Sequence, residues 1–139
     1  MINDLNTNTT NLEFTISGMD LRPAQIKVLV SNVQNNSSLK GLTMCRKNLT
    51  DAEGTEVAEK LQGNTFLERL ELEGNKLGSE TLYQIAKLLR ENDTIRQIDL
   101  EGNKLIKGED KPNYKGRCVL RQGWMSYARH CGRTILCFR

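Results

Sequence analysis

Apolar residues recur along the chain in one frame. Leu67, Leu70, Leu72 and Leu77 stand in the same relative positions as Ile95, Ile98, Leu100 and Leu105, 28 residues further on. The same step backwards lands on Leu39, Leu42, Met44 and Leu49, and a further step reaches Phe14, Ile16 and Leu21. A second marker shares the period, because Asn36, Asn64 and Asn92 each stand three residues before the apolar residue that opens the next unit. Two markers with one period identify an internal repeat. Within a unit, Leu70-Glu71-Leu72-Glu73 alternates apolar and polar residues, which predicts a short strand with one buried face. Thr50-Asp51-Ala52-Glu53 then has the form of a capping box, and Pro23 and Ser79 suit helix starts. Ile26, Leu29, Val30 and Val33, then Val57, Ala58 and Leu61, then Leu82, Ile85, Ala86 and Leu89 follow at helical spacing. Each unit is thus predicted to be a strand followed by a helix whose apolar stripe faces the strands. One such unit cannot bury a core, whereas stacked copies share one. Asn36, Asn64 and Asn92 are expected at helix ends in the left-handed conformation, which asparagine tolerates.

The frame L-x-x-L-x-L-x-x-N-x-L resembles the leucine-rich-repeat signature. A 28-residue unit with a helical second half is similar to the ribonuclease-inhibitor-like class over about residues 11–105. The junction of Asn, then Ser, Thr or Asp, then any residue, then Leu or Ile looks most like tropomodulin-type repeats. The resemblance implies an α/β leucine-rich-repeat solenoid, a right-handed horseshoe arc of about four units with parallel strands on the concave face. It also implies a buried asparagine holding the bend after each strand, a place filled by Asn75 and Asn103 but taken by Lys47 and Met19 in the first two units. Neither Lys nor Met can copy that bonding, so the N-terminal units are expected to be looser. The chain reads as one domain, 1–139, with repeats at about 11–38, 39–66, 67–94 and a partial one at 95–105. A breaker-rich loop is expected at 106–116 and a divergent basic cap or tail at 117–139. In that tail Leu120, Trp124, Tyr127 or Ala128, and Cys131 recur at helical spacing, and Thr134–Phe138 is strand-like. Trp124, Ile135 and Phe138 are the contacts expected if the tail covers the exposed strand edge.

Composition adds exclusions. No apolar run is long enough to span a bilayer, and the first residues have neither the basic end nor the apolar stretch of a signal peptide, so a cytoplasmic protein without membrane contact is expected. The four cysteines are then expected as thiols. His130 is the single histidine, and no nucleophile-elbow, phosphate-loop or dinucleotide frame occurs. Cys118, His130, Cys131 and Cys137 lack the C-x-x-C pairing of a zinc site. No catalytic residue, metal or cofactor is expected, and the protein is not expected to be an enzyme. Charge is split: residues 1–105 carry 12 Lys/Arg against 15 Asp/Glu, and residues 106–139 carry 8 against 2. Arg117, Arg121, Arg129 and Arg133 raise nucleic acid as a rival partner, but they sit in no recognised nucleic-acid-binding fold and that reading is disfavoured.

The repeat also lines up the outward strand positions. The first column is Glu13, Gly41, Arg69 and Gln97; the second is Thr15, Thr43, Glu71 and Asp99; the third is Ser17, Cys45, Glu73 and Glu101. Carboxylates crowded on neighbouring strands favour a Lys/Arg-rich partner or the chain's own basic tail. Arg69, Glu71, Glu73, Gln97, Asp99 and Glu101 are therefore the candidate partner-binding residues. The function expected is a non-catalytic protein-interaction module whose partner carries a basic surface. The resemblance to cytoskeleton-associated repeats implies a filament or other large assembly. Two alternatives stay open: a regulator of an enzyme, of the inhibitor or GTPase-activating type, and a structural fragment completed within a complex.

Overall fold

The computed structural model describes residues 13–16 and 21–105, together with the backbone of a strand at Val119–Arg121. Ser17, Met19, the loop at 106–116, Cys118, Trp124, His130, Cys131, Ile135, Cys137 and Phe138 lie outside the described residues. The elements alternate: β1 (Glu13–Thr15), α1 (Pro23–Gln34), β2 (Gly41–Thr43), α2 (Asp51–Leu61), β3 (Arg69–Glu71), α3 (Ser79–Glu91), β4 (Gln97–Asp99) and β5 (Val119–Arg121). The strands form one sheet in chain order, with β1 to β4 parallel. The register pairs Phe14, Leu42, Leu70 and Ile98, so residues 28 apart are Cα partners. β5 runs antiparallel to β4, pairing Ile98 with Leu120 and Gln97 with Arg121. Helical spacing predicts a helix from Leu120; the backbone there is a strand, because an extended segment takes up the ladder of β4.

The recurring apolar positions form the core. Leu39, Leu67 and Ile95, then Leu42, Leu70 and Ile98, then Met44, Leu72 and Leu100 stack as buried rows, with Leu49, Leu77 and Leu105 behind them. Ile26, Val30, Val57, Ala58, Leu61, Ile85 and Leu88 close the core from the helix side. Close helix packing depends on Gly54, where an added Cβ would lie 2.4 Å from Thr81 Oγ1 and 2.7 Å from Leu77 Cδ2.

Helix starts are capped in different ways. At α2 the Glu53 carboxylate accepts from the Thr50 backbone N–H at 2.8 Å and from the Thr50 hydroxyl, closing the capping box. At α3 the N-cap is Gly78 and Ser79 is the first helical residue. Its cap comes from the preceding unit: Asp51 Oδ1 accepts from Gly78 N at 2.7 Å, Thr81 N at 3.0 Å and Thr81 Oγ1 at 2.7 Å. A carboxylate there also complements the helix dipole.

The junction asparagines are structural by a different mechanism from the left-handed one expected. Asn92 has φ −113°, and the positive-φ residues among those described are Arg46, Asn48, Gly74 and Gly102. Asn64 works through its side chain: Oδ1 accepts from Phe66 N and Leu67 N, while Nδ2 donates to Val33 O at 2.8 Å and Asn36 O at 3.1 Å. Asn92 repeats this on Thr94 N, Ile95 N, Leu61 O and Asn64 O. Asn36 Oδ1 accepts from Ser38 N and Leu39 N. The Asn64 and Asn92 amides thus tie the start of one strand to the helix end of the unit before, serving buried backbone groups that the sheet does not reach.

The bends after the strands follow the expected asparagine ladder. Asn75 Nδ2 donates to Met44 O and Leu72 O, and its Oδ1 accepts from Lys47 N and Leu49 N. Asn103 does the same on Leu72 O, Leu100 O and Leu77 N. Gly74 and Gly102 turn these bends at φ 67° and 71°. One unit earlier the turn is made by Arg46 at φ 55° and Asn48 at φ 56°, conformations that cost a side-chain-bearing residue roughly 1–2 kcal/mol. The second unit therefore pairs a strained bend with a missing ladder amide, and its bend leans on Asn75 of the next unit.

Candidate functional site

Period-two alternation turns Leu42, Leu70 and Ile98 into the core and their neighbours onto the opposite face of the sheet. That outer face carries the charged columns. In the first, Arg69 Nη2 reaches Glu13 Oε2 at 2.6 Å. The two belong to strands on either side of β2, and they meet above Gly41, where a Cβ would fall 1.9 Å from the Glu13 carboxylate. Glycine at this point lets an arginine and a glutamate join across an intervening strand. Gln97, half-buried, continues the column and faces Arg69 in register.

In the second column the Thr43 hydroxyl donates to Glu71 Oε2 at 2.9 Å, and Arg69 Nε stands 3.5 Å from Glu71 Oε1. The latter is an ion-pair distance rather than a hydrogen bond, and Arg69 Nε is buried without a hydrogen-bond partner. Asp99 is 3% exposed, and its Oδ1 accepts from Glu101 N at 3.0 Å. It fixes the turn after β4 more than it presents charge to solvent.

The third column holds Cys45, Glu73 and Glu101, all half-buried. Burial pushes the Cys45 thiol above its ordinary pKa, and the negative fields of Glu71, Glu73 and Asp99 act in the same direction. Glu73 Oε1 accepts from Arg46 Nη2 at 2.9 Å. The expected acidic row is thus interleaved with the chain's own cations. Of the candidate residues, Arg69 and Glu71 meet as an ion pair, whereas Glu73 pairs with Arg46. Glu13, Thr43 and Arg46 are partners that the candidate set omits. Glu13 was legible from its column, whereas Arg46 belongs to a bend position with no strand periodicity to mark it.

Arg69, Glu71 and Glu73 keep about a third or more of their side-chain surface exposed, whereas Asp99 does not. Among the described residues no group of three His, Cys, Asp or Glu side chains could hold a metal ion, and no helix is long and apolar enough to cross a membrane.

No protein-family model and no curated protein sequence matches the chain. Solved structures do. Leiomodin-1 actin-binding site 2 superposes with a TM-score of 0.70 at 16% identity, over 78% of this chain and 64% of that one. The tropomodulin C-terminal domain of Caenorhabditis elegans superposes with a TM-score of 0.67 at 20% identity, over 73% of this chain and 62% of that one. The chain therefore shares the fold of these domains while spanning less than two thirds of their length.

Proposed function

We propose that the chain is a non-catalytic protein-binding module, a leucine-rich-repeat solenoid of the ribonuclease-inhibitor-like class, that engages actin or an actin-containing assembly. The observation that carries this reading is the fold shared with a domain named as an actin-binding site, at a TM-score of 0.70. The contact surface is the outer, concave face of the sheet, with Arg69, Glu71, Glu73, Gln97 and Glu101 as contacts and Asp99 as the residue that holds Glu101 in place. Support for that surface comes from its geometry: Arg69, Glu71 and Gln97 project from strands, and Glu73 and Glu101 stand in the turns that follow them, where Arg46 holds Glu73 at 2.9 Å and the Asp99 carboxylate holds the Glu101 N–H at 3.0 Å. A cytoplasmic, cytoskeleton-associated location follows from the same reading. The partner's complementary face is basic opposite Glu73 and Glu101.

Co-sedimentation with actin filaments tests this. The wild-type chain is expected in the pellet, and the double reversal Glu73→Lys/Glu101→Lys is expected in the supernatant with an unchanged circular-dichroism spectrum. Wild-type protein that stays in solution would remove actin as the partner. Pelleting that survives the reversal would remove this face as the contact.

A further inference from the structure

The repeat supplies its own control for the bends at the carboxyl ends of the strands. Arg46, Gly74 and Gly102 occupy one position of the frame, 28 residues apart. All three have positive φ, at 55°, 67° and 71°. Glycine adopts that conformation without strain in two units; in the second unit an arginine adopts it against the crowding of its own Cβ. The later bends close without a side chain here, so the fold does not require one. The Arg46 side chain is 79% exposed and contributes little to packing. It lies over Gly74, where a Cβ would fall 2.9 Å from Arg46 Cγ, and its guanidinium ends on Glu73 at 2.9 Å. A costly backbone conformation that carries an exposed cation points to a residue kept for contact rather than for stability.

Two more cations share this edge. Lys76 and Lys104 are equivalent in the frame and exposed, and the same backbone bond fixes both: Lys76 N donates to Leu49 O at 2.8 Å and Lys104 N to Leu77 O at 3.0 Å. Among the described residues neither has an ion-pair partner. The acids that follow the second bend are engaged elsewhere, Asp51 in capping α3 and Glu53 in capping α2. We infer that Arg46, Lys76 and Lys104 form a contact edge for an acidic protein segment. Arg46 is its anchor, and Glu73 is the internal carboxylate that an incoming acid displaces. Neighbouring parallel strands lie about 5 Å apart, so the two lysines match carboxylates carried close together on one segment. Charge selects protein over nucleic acid. Residues 1–105 hold 12 Lys/Arg against 15 Asp/Glu, and Glu73 and Glu101 adjoin the edge, so a continuous phosphate backbone is repelled where separate carboxylates are not. The inference rests on the bends and the repeat, and it does not require the partner to be actin.

Titration of the isotope-labelled full chain with a peptide of alternating Glu and Gly, followed by amide NMR shifts, tests this. The readout is site-resolved, so binding at the edge separates from binding at the basic residues beyond 105. The amides of Arg46, Lys76 and Lys104 are expected to move together with one Kd. Arg46→Gly should weaken the Kd read at Lys76 and Lys104 by about fivefold, the upper end for an exposed ion pair. The same variant should melt no lower than the wild type, because glycine suits the bend. Glu73→Gln should tighten the Kd by removing the internal competitor, a gain that a merely structural Arg46–Glu73 pair would not give. Lys76→Glu/Lys104→Glu should abolish the shift at Arg46, and it serves where Arg46→Gly does not fold. A wild-type chain whose edge amides stay still would overturn the inference, as would a Kd unmoved by these variants. Arg46→Gly that melts well below the wild type would overturn the anchor role. Double-stranded DNA that moves the same amides at lower concentration than the peptide would overturn it in favour of nucleic acid.

Discussion

Asn75→Ala is the substitution for which the structure yields the largest worked cost. The Asn75 side chain is buried, and its amide serves backbone groups of two units at once. Oδ1 accepts from Lys47 N at 2.8 Å and Leu49 N at 3.2 Å, and Nδ2 donates to Met44 O at 2.9 Å and Leu72 O at 2.8 Å. Alanine leaves two N–H groups and the Met44 carbonyl facing a small void, while the Leu72 carbonyl keeps Asn103 Nδ2 at 2.9 Å. A buried backbone group deprived of its partner costs about 1–3 kcal/mol, and partial entry of water lowers the sum, so the expected loss is about 3–5 kcal/mol. That is a large share of the roughly 5–15 kcal/mol that holds a domain folded. Asn103 supplies the control. It makes the same contacts on Leu77 N, Leu72 O and Leu100 O, but it is half-buried, so water can replace the amide and the expected cost is about 1–2 kcal/mol.

Urea denaturation followed by circular dichroism measures the difference, provided the slope of the transition is unchanged between variants. Asn75→Ala should lower the midpoint by at least twice the shift seen for Asn103→Ala. Native-state hydrogen exchange gives a local readout, since the amides of Lys47 and Leu49 should lose protection before those of the β3–β4 pair. Asn75→Asp should not rescue, because a carboxylate keeps the acceptor but points a second oxygen at the carbonyls. A cost below about 1 kcal/mol, or one equal to that of Asn103→Ala, would refute the assignment of the second unit's bend to Asn75.

Two further outcomes follow from local geometry. Gly102→Ala, at φ 71° and with its Cβ 3.3 Å from Gly74 Cα, should destabilise by about 1–2 kcal/mol in thermal melts, whereas Gly63→Ala, with nothing within 4 Å, should be neutral or slightly stabilising. The Glu53 carboxyl is held below its ordinary pKa, first by the Thr50 hydroxyl that donates to it and then by the Thr50 backbone N–H. A depressed carboxylate stabilises the fold above its unfolded-state pKa and loses that contribution as pH falls through the folded value. Glu53→Gln should therefore lower stability near neutral pH and flatten its decline in acid, as read from melting temperature against pH; an unchanged acid limb would count against the capping-box assignment.

Much of the fold was legible because the repeat states each position several times. Leu42, Leu70 and Ile98 fall in one register in the structure as they do in the sequence, and the outward columns follow from the same spacing. What was not legible depends on side chains reaching between units. Asp51 reads as an ordinary first-turn acid of α2, yet its carboxylate caps α3 some 27 to 30 positions later, a contact with no local signature. Asn64 and Asn92 were recognisable as structural by their period, but their backbone conformation was misjudged. Each amide instead reaches across to the unit before, adding a second donor to Val33 O and Leu61 O, a role that periodicity alone does not reveal. The face chemistry was legible as a column of acids and illegible as a network, because Arg46 enters it from a bend and Glu13 reaches across a glycine.

That network narrows the partner more than the acidic row alone would. A row of unpaired carboxylates would attract any polycation, with affinity set by charge count. Here a Lys or Arg arriving at Glu73 must displace Arg46 at 2.9 Å, and one arriving at Glu71 must compete with Arg69 and the Thr43 hydroxyl. Exchange of one exposed ion pair for another yields little, since solvent screens both. A partner that brings cations alone therefore strands Arg46 and Arg69. One that sets a carboxylate against those arginines and a base against Glu73 and Glu101 leaves no charge unmatched. On the proposed contact, a folded partner face of mixed charge in fixed register is expected to bind in preference to a flexible basic peptide.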